Sequence, residues 1–274
     1  MEAIVQKYQE RIYKYSDACV FRKTKEEYGG LSNMASGFPL LINGIYILTS
    51  EALYQACRFP HIQDVQLKIL KERSPMSAKM VSKPFRLKSR QDWDLVRVDI
   101  MYWCLKVKLA QNFLSFGSLL ESTYNKPIVE DSSKDKFWGA VKLKDAPENL
   151  SGVNALGRLL MKLRQEYNSI HRFNLLVVEP PLIKDFLLNG EKIGVIDERN
   201  RFIDYLKNSW KNVSTISTYN LNYSLSSSQI ISVVKENEPE VLIGKVVEKK
   251  IEKEKKVKKK ANNSETLDLF PMND

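Results

Sequence analysis

The stretch Thr49-Ser50-Glu51-Ala52-Leu53-Tyr54-Gln55-Ala56-Cys57-Arg58-Phe59-Pro60 constrains the chain most. Its spacing predicts a short helix. Ser50 is placed as the N-cap, and Phe59-Pro60 supplies the stop, because proline pushes the preceding residue out of the α region. At roughly 100° per residue, Glu51, Tyr54, Gln55 and Arg58 share one face, while Leu53, Ala56 and Cys57 take the opposite, core side. That polar face is either solvated or the floor of a pocket, and spacing alone leaves both readings open. In the pocket reading Glu51 sits in the first turn, where the helix dipole favours an ionised carboxylate. Such a group suits a general base, or an anion facing developing positive charge, better than a general acid.

The rest of the chain bounds what this helix can serve. With 274 residues, 43% hydrophobic, it has room for one sizeable core plus extensions. A formal net charge of +10 suits an anionic partner, such as nucleic acid, nucleotide phosphate or an anionic surface, although much of the lysine lies in the tail. Three cysteines, Cys19, Cys57 and Cys104, form no CxxC pair, and their odd count argues against a secreted disulfide scaffold. Two histidines, His61 and His171, make a His/Cys metal site improbable, so neither metal nor cofactor is expected. No apolar run nears the roughly 20 residues that span a bilayer, and no apolar signal core opens the chain. A cytoplasmic, nucleoid-associated protein without a membrane partner is the expectation.

Residues 2–15 predict an amphipathic helix and Cys19–Phe21 a strand, followed by a turn at Gly29-Gly30-Leu31-Ser32-Asn33. Phe38–Leu48 reads as a hairpin around Asn43-Gly44. Helices are expected over 62–72 and 75–83, then a long one from Trp93, with a break near Phe116-Gly117. Ile128–Glu130 is a short strand opening into a loop that holds Asp135, Trp138 and Gly139. Trp138 serves there as a core plug or as a site residue. Gly152–Arg158 starts the next helix, and Arg158 one turn in fits a phosphate cradle; ordinary capping by Asn154, with Gly157 allowing close packing, is the alternative. Neither glycine completes a P-loop or dinucleotide fingerprint. Beyond 170 a small β-containing appendage is expected, with 202–210 helical, 212–230 a linker and 245–260 a solvated Lys/Glu spacer. The terminal Leu267-Asp268-Leu269-Phe270 has no core to join and reads as a docking peptide.

Six blocks in order carry a resemblance: Glu27–Asn33, Thr49–Ala56, Ser74–Lys79, Asp92–Asp94, Asp135–Gly139 and Asn154–Met161. Together they resemble the NADAR, or YbiA-like, family. The resemblance implies a compact, mainly helical α+β domain over 18–169; composition adds an accessory extension over 170–230 and a flexible charged tail over 231–274. It implies metal-independent N-glycosidase chemistry on N-ribosylated bases. One branch acts on phosphoribosylated pyrimidine intermediates of riboflavin synthesis. Another strips ADP-ribose from guanine in DNA, as antitoxin to a DarT-type ADP-ribosyltransferase. The stretch Phe21–Gly29 and Arg58 look closer to the second branch. A catalytically silent binder of ADP-ribose or nucleic acid is a third possibility.

By the same resemblance the essential helix carboxylate falls on Glu51, the loop acid and indole on Asp135 and Trp138, and the other tryptophan on Trp93. These types suit C–N ribosyl cleavage, which develops an oxocarbenium ion. Substrate contacts are expected from Tyr28, Gly30, Asn33, Arg58, Gly139, Asn154 and Arg158. Lys23 is either a solvated lysine or an amine that traps an opened ribose aldehyde as a Schiff base. The tail peptide resembles a bacterial sliding-clamp ligand through Leu267, Leu269 and Phe270, with glutamic acid where that motif has glutamine.

Overall fold

A computed structural model describes residues 9–214 of the chain. Strands β1 (Arg11–Lys14), β2 (Cys19–Phe21), β3 (Leu40–Ile42) and β4 (Ile45–Ile47) come first. Five helices follow: α1 (Ser50–Ala56), α2 (Gln63–Leu70), α3 (Pro75–Ser82), α4 (Trp93–Gln111) and α5 (Phe113–Glu121). Then come β5 (Ile128–Glu130), β6 (Val141–Lys142), β7 (Asn149–Gly152) and α6 (Ala155–Tyr167). The short strands β8 (Val177–Val178), β9 (Leu187–Leu188), β10 (Glu191–Lys192) and β11 (Ile196–Asp197) lead to α7 (Arg199–Ser214). Helices with several small sheets make this an α+β fold.

The hairpin β3–β4 closes as its sequence dictates. Asn43 and Gly44 both take positive φ, 49° and 72°, the conformation a two-residue turn needs to match strand twist. The predicted helix over 2–15 is corrected where it is described. Arg11–Lys14 is a strand paired antiparallel with β7, Arg11 opposite Gly152 and Lys14 opposite Asn149. Tyr13 points into a small core with Val129, Ala140 and Leu150 while Ile12 stays exposed, so a pairing partner far along the chain overrides the local period. Strand β2 lies parallel to β5, with Phe21 opposite Glu130.

Helix α4 runs through the main core, with Ile100, Trp103, Leu105, Val107 and Leu109 almost wholly buried. It breaks at Asn112, not near Phe116-Gly117 as expected. The Asn112 side-chain amide donates to the Pro39 carbonyl (3.2 Å) and to the Lys108 carbonyl (3.1 Å). Gly117 stays inside α5 because the Tyr167 ring packs onto its bare Cα. Gly117→Ala drives a methyl into that ring and is expected to cost about 1–3 kcal/mol despite alanine's better helix propensity, read as a lower Tm in thermal unfolding.

One buried lysine holds the Gly29–Leu31 turn. Lys108 of α4 is fully buried; its Nζ donates to the carbonyls of Gly30 (2.7 Å) and Ser32 (3.0 Å) between the Phe38 and Phe116 faces. Burial pulls its pKa down to about 7. The segment after 170 brings Leu176, Val178, Phe186, Leu188 and Ile193 into the same core, where Phe186 meets Trp103 edge-on at 4.9 Å. The expected linker beyond α7, the Lys/Glu spacer and the terminal peptide with Leu267, Leu269 and Phe270 lie outside the described residues.

Candidate active site

Helix α1 is held at its start by two loops. Thr49, rather than Ser50, caps it, accepting from the Ala52 N–H at 3.3 Å. The Ser50 hydroxyl instead donates to Asn33 Oδ1 (3.0 Å), and the Asn33 carbonyl accepts the Glu51 N–H (3.0 Å). Asn33 is itself buried, with its amide nitrogen against the Met101 sulfur, so it positions the helix rather than meeting a ligand. All seven residues of α1 are buried. The solvated alternative for its polar face is therefore corrected: α2, α3 and α4 pack against the helix.

Glu51 keeps only 7% of its surface. Its Oε1 accepts from Gln55 Nε2 (2.9 Å), whose Oε1 accepts from the Ser82 hydroxyl (2.9 Å). Burial raises the Glu51 pKa, against the opposing pull of Lys79, Gln55 and Arg86. Desolvation thus outweighs the first-turn dipole that the sequence alone offered.

A second carboxylate, Glu130, ends β5. Its N–H is held by Asn154 Oδ1 (3.2 Å), while Asn154 Nδ2 donates to the Ile128 carbonyl (2.8 Å). Asn154 adopts a left-handed φ of 52°, which lets its side chain run along β5 like an extra strand. Gly139 packs against the Glu130 carbonyl, where a Cβ would collide. Asn154 and Gly139, expected to touch substrate, therefore place Glu130. The Glu130 pKa is raised to about 7, by burial first and then by the charges of Glu51 and Asp135.

A raised carboxylate stabilises the folded state only while protonated. That contribution is complete below the ordinary value of 4.5 and lost as pH rises through about 7. Glu130→Gln is accordingly expected to raise Tm relative to wild type at pH 8 and to leave it nearly unchanged at pH 4.5, by calorimetry at both values.

An aromatic wall adjoins the acids. Tyr54 meets Trp93 at 5.1 Å and Trp138 edge-on at 5.7 Å between ring centroids. The Arg58 guanidinium lies 4.7 Å above Trp93 and donates through Nε to the Ser89 hydroxyl (2.8 Å). Arg58 falls beyond the end of α1, not on its face. Asp135 is exposed; its Oδ1 accepts the N–H groups of Phe137 and Trp138, both at 2.9 Å, so it fixes the Trp138 loop. Arg97 covers the Phe137 ring at 4.0 Å.

Of the residues expected at the site, Glu51, Arg58, Trp93 and Trp138 gather here, with Asp135 acting on Glu130 by charge. Asn33, Asn154 and Gly139 frame α1 and β5, and the remaining four have surroundings of their own. Lys23 is exposed on the turn after β2, where the Glu26 carboxylate accepts its N–H at 3.0 Å. Tyr28 is paired with Cys19, which with burial raises its pKa to about 12. Gly30 turns its carbonyl to Lys108 and is walled by Leu119 and Phe38. Arg158 lines a groove of about 680 Å³ with Arg11 and Lys162 on the outer side of α6. Glu130, Lys79, Arg86 and Arg97 were not singled out from sequence. A carboxylate closing an apolar strand just before a turn-rich loop was the available signal for Glu130. Among the described residues no group of three or more His, Cys, Asp or Glu side chains is placed to hold a metal, and no helix is long and apolar enough to cross a membrane.

Comparison with known proteins follows this geometry. The family model described as the NADAR domain matches residues 20–168. The riboflavin biosynthesis protein PYRR, chloroplastic, of Zea mays is 33% identical over 159 residues, 53% of this chain, which spans only 24% of that protein. The N-glycosidase YbiA of Escherichia coli is 31% identical over 146 residues, 53% of this chain and 86% of YbiA. An NMR structure of E. coli YbiA aligns with a TM-score of 0.46 at 29% identity, covering 55% of this chain and 84% of that one. On the match over 20–168, which holds both carboxylates and the aromatic wall, the chain belongs to the NADAR domain family.

Proposed function

We propose that this protein is an N-glycosidase that cleaves the bond between a ribosyl C1′ and a base nitrogen. The observation that carries this reading is a pair of carboxylates with raised pKa, buried Glu51 and half-buried Glu130, with the charge of Glu51 helping to raise Glu130, beside Tyr54, Trp93 and Trp138. The likeness to YbiA, named an N-glycosidase, supports it.

The surroundings of the two acids divide the roles. Gln55, Lys79 and Arg86 all favour the ionised form of Glu51. Glu130 is crowded by the charges of Glu51 and Asp135, and of these groups only Lys79 favours its anion. Glu130 then protonates the departing base nitrogen as the C–N bond breaks. Ionised Glu51 stabilises the ribosyl cation and takes the proton of the water whose oxygen bonds to C1′. The Trp93 and Trp138 faces hold the base by stacking, and Arg58 meets hydroxyls or phosphate.

We further propose ADP-ribosylated guanine in DNA as the substrate, with metal-independent chemistry opposing a DarT-type toxin; Arg58 and the surrounding cations fit an ADP-ribose carrying two phosphates. Docking of the terminal Leu267, Leu269 and Phe270 on a sliding clamp belongs to the same proposal. A second reading, hydrolysis of an N-ribosylated pyrimidine intermediate, is favoured by the maize relative's name. Incubation with both substrate types, followed by chromatography of freed base and ribosyl product, separates them. Turnover only of the pyrimidine overturns the DNA reading, and turnover of neither overturns the glycosidase.

A further inference from the structure

The segment Arg73–Arg90 carries six lysines and arginines and no carboxylate, between Glu72 and Asp92. Arg90 is spent on Asp92. The other five, Arg73, Lys79, Lys83, Arg86 and Lys88, are exposed, and none forms an ion pair with a described carboxylate. Large apolar side chains stand exposed among them: Met76 and Met80, one turn apart on α3, and Leu87 at 102% exposure between Arg86 and Lys88. Single exposed apolar residues are ordinary; an unshielded leucine flanked by unpaired cations is not.

This segment borders the candidate site. Ser82 reaches Glu51 through Gln55. Ser89 holds the Arg58 guanidinium, and the Arg90 N–H donates to the Arg58 carbonyl (3.0 Å). The 3₁₀ turn Lys83–Lys88, which lifts Leu87 into solvent, thus sits next to the arginine that covers Trp93.

We propose that this segment is the surface on which a double-stranded nucleic acid is held, with Leu87 as a wedge that unstacks the base to be processed. The inference rests on the N-glycosidase reading and deepens it by naming the surface that holds a duplex and the side chain that opens it. A glycosidic bond inside a duplex cannot reach the buried Glu51 unless its nucleotide leaves the stack. Extrusion needs phosphates gripped on either side and an apolar side chain to fill the gap, which Lys83, Lys88 and Leu87 supply. A free mononucleotide needs none of this.

The test uses the full chain and one N-ribosylated base presented three ways: in duplex oligonucleotide, in single strand and as free nucleotide. Leu87→Ala loses no packing, because the side chain is fully exposed. It is expected to lower turnover about tenfold or more on duplex and little on single strand or free nucleotide. The double variant Lys83→Glu/Lys88→Glu is expected to weaken binding to unmodified duplex and reduce the slope of log affinity against log salt by about two. Unchanged duplex turnover in Leu87→Ala, or equal losses on all three substrates, overturns the wedge. An unchanged salt slope overturns the surface. Failure of the wild type on every substrate overturns the glycosidase reading and the wedge with it, while the salt slope, which needs no turnover, still decides the surface.

Discussion

Glu51→Gln is expected to lower kcat about 10²–10⁴-fold while leaving the fold intact, because glutamine keeps the volume and an oxygen for the Gln55 amide. Removing a buried charge also removes its desolvation cost, so Tm is not expected to fall. Single-turnover release of base from the substrate that wild type accepts measures the effect. The pH profile adds what a merely structural role would not move. Glu130, raised to about 7, must be protonated to act as the acid, so the rate of wild type should decline as pH rises through that value. In Glu130→Gln that limb should vanish along with most of the activity. A Glu51→Gln enzyme that turns over normally would move the chemistry away from α1 altogether.

The largest expected effect on stability lies at Lys108, remote from the acids. Lys108→Ala removes three buried methylenes and the ammonium, and strands the carbonyls of Gly30 and Ser32. Each methylene contributes about 0.8 kcal/mol and each stranded carbonyl about 1–3 kcal/mol. Relief of the ammonium's desolvation offsets part of this, leaving a loss of about 3–5 kcal/mol, or roughly 10 °C in Tm for a domain of this size. Lys108→Met keeps the stem and should lose about half as much. A depressed lysine stabilises most above its ordinary 10.5, and that contribution is lost as pH falls through about 7, the opposite slope to Glu130. Equal Tm for wild type and Lys108→Ala would mean that the turn needs no buried cation.

Local chemistry was readable from the chain. Asn43-Gly44 permits little besides a tight hairpin, and Ser74-Pro75 starts α3 with the Ser74 cap in place. Trp93 and Trp138 stood out through ordered blocks and Arg58 through the stretch that follows Thr49; Arg58 lies over Trp93, and Tyr54 meets both tryptophans. What stayed hidden was set by distant partners. Arg11–Lys14 carries a helical period yet pairs with β7, because the free edge of that strand offers more than an isolated helix can. Glu130 reads as an unremarkable strand end until Phe21, Asn154 and Gly139 close around it. Lys108 sits in an apolar stripe where a lysine reads as snorkelling to solvent, and only the fold supplies its two carbonyls.

The parallel pairing of β2 with β5 ties Phe21 to Glu130 across most of the catalytic half of the sequence. Long loops are slow to close, so this strand pair forms only after the intervening helices have gathered. A nascent chain released through α1 but not yet through β5 therefore carries one of the two carboxylates without the other. The pair assembles late, once the ribosome has let go of the strand that seals Phe21 to Glu130.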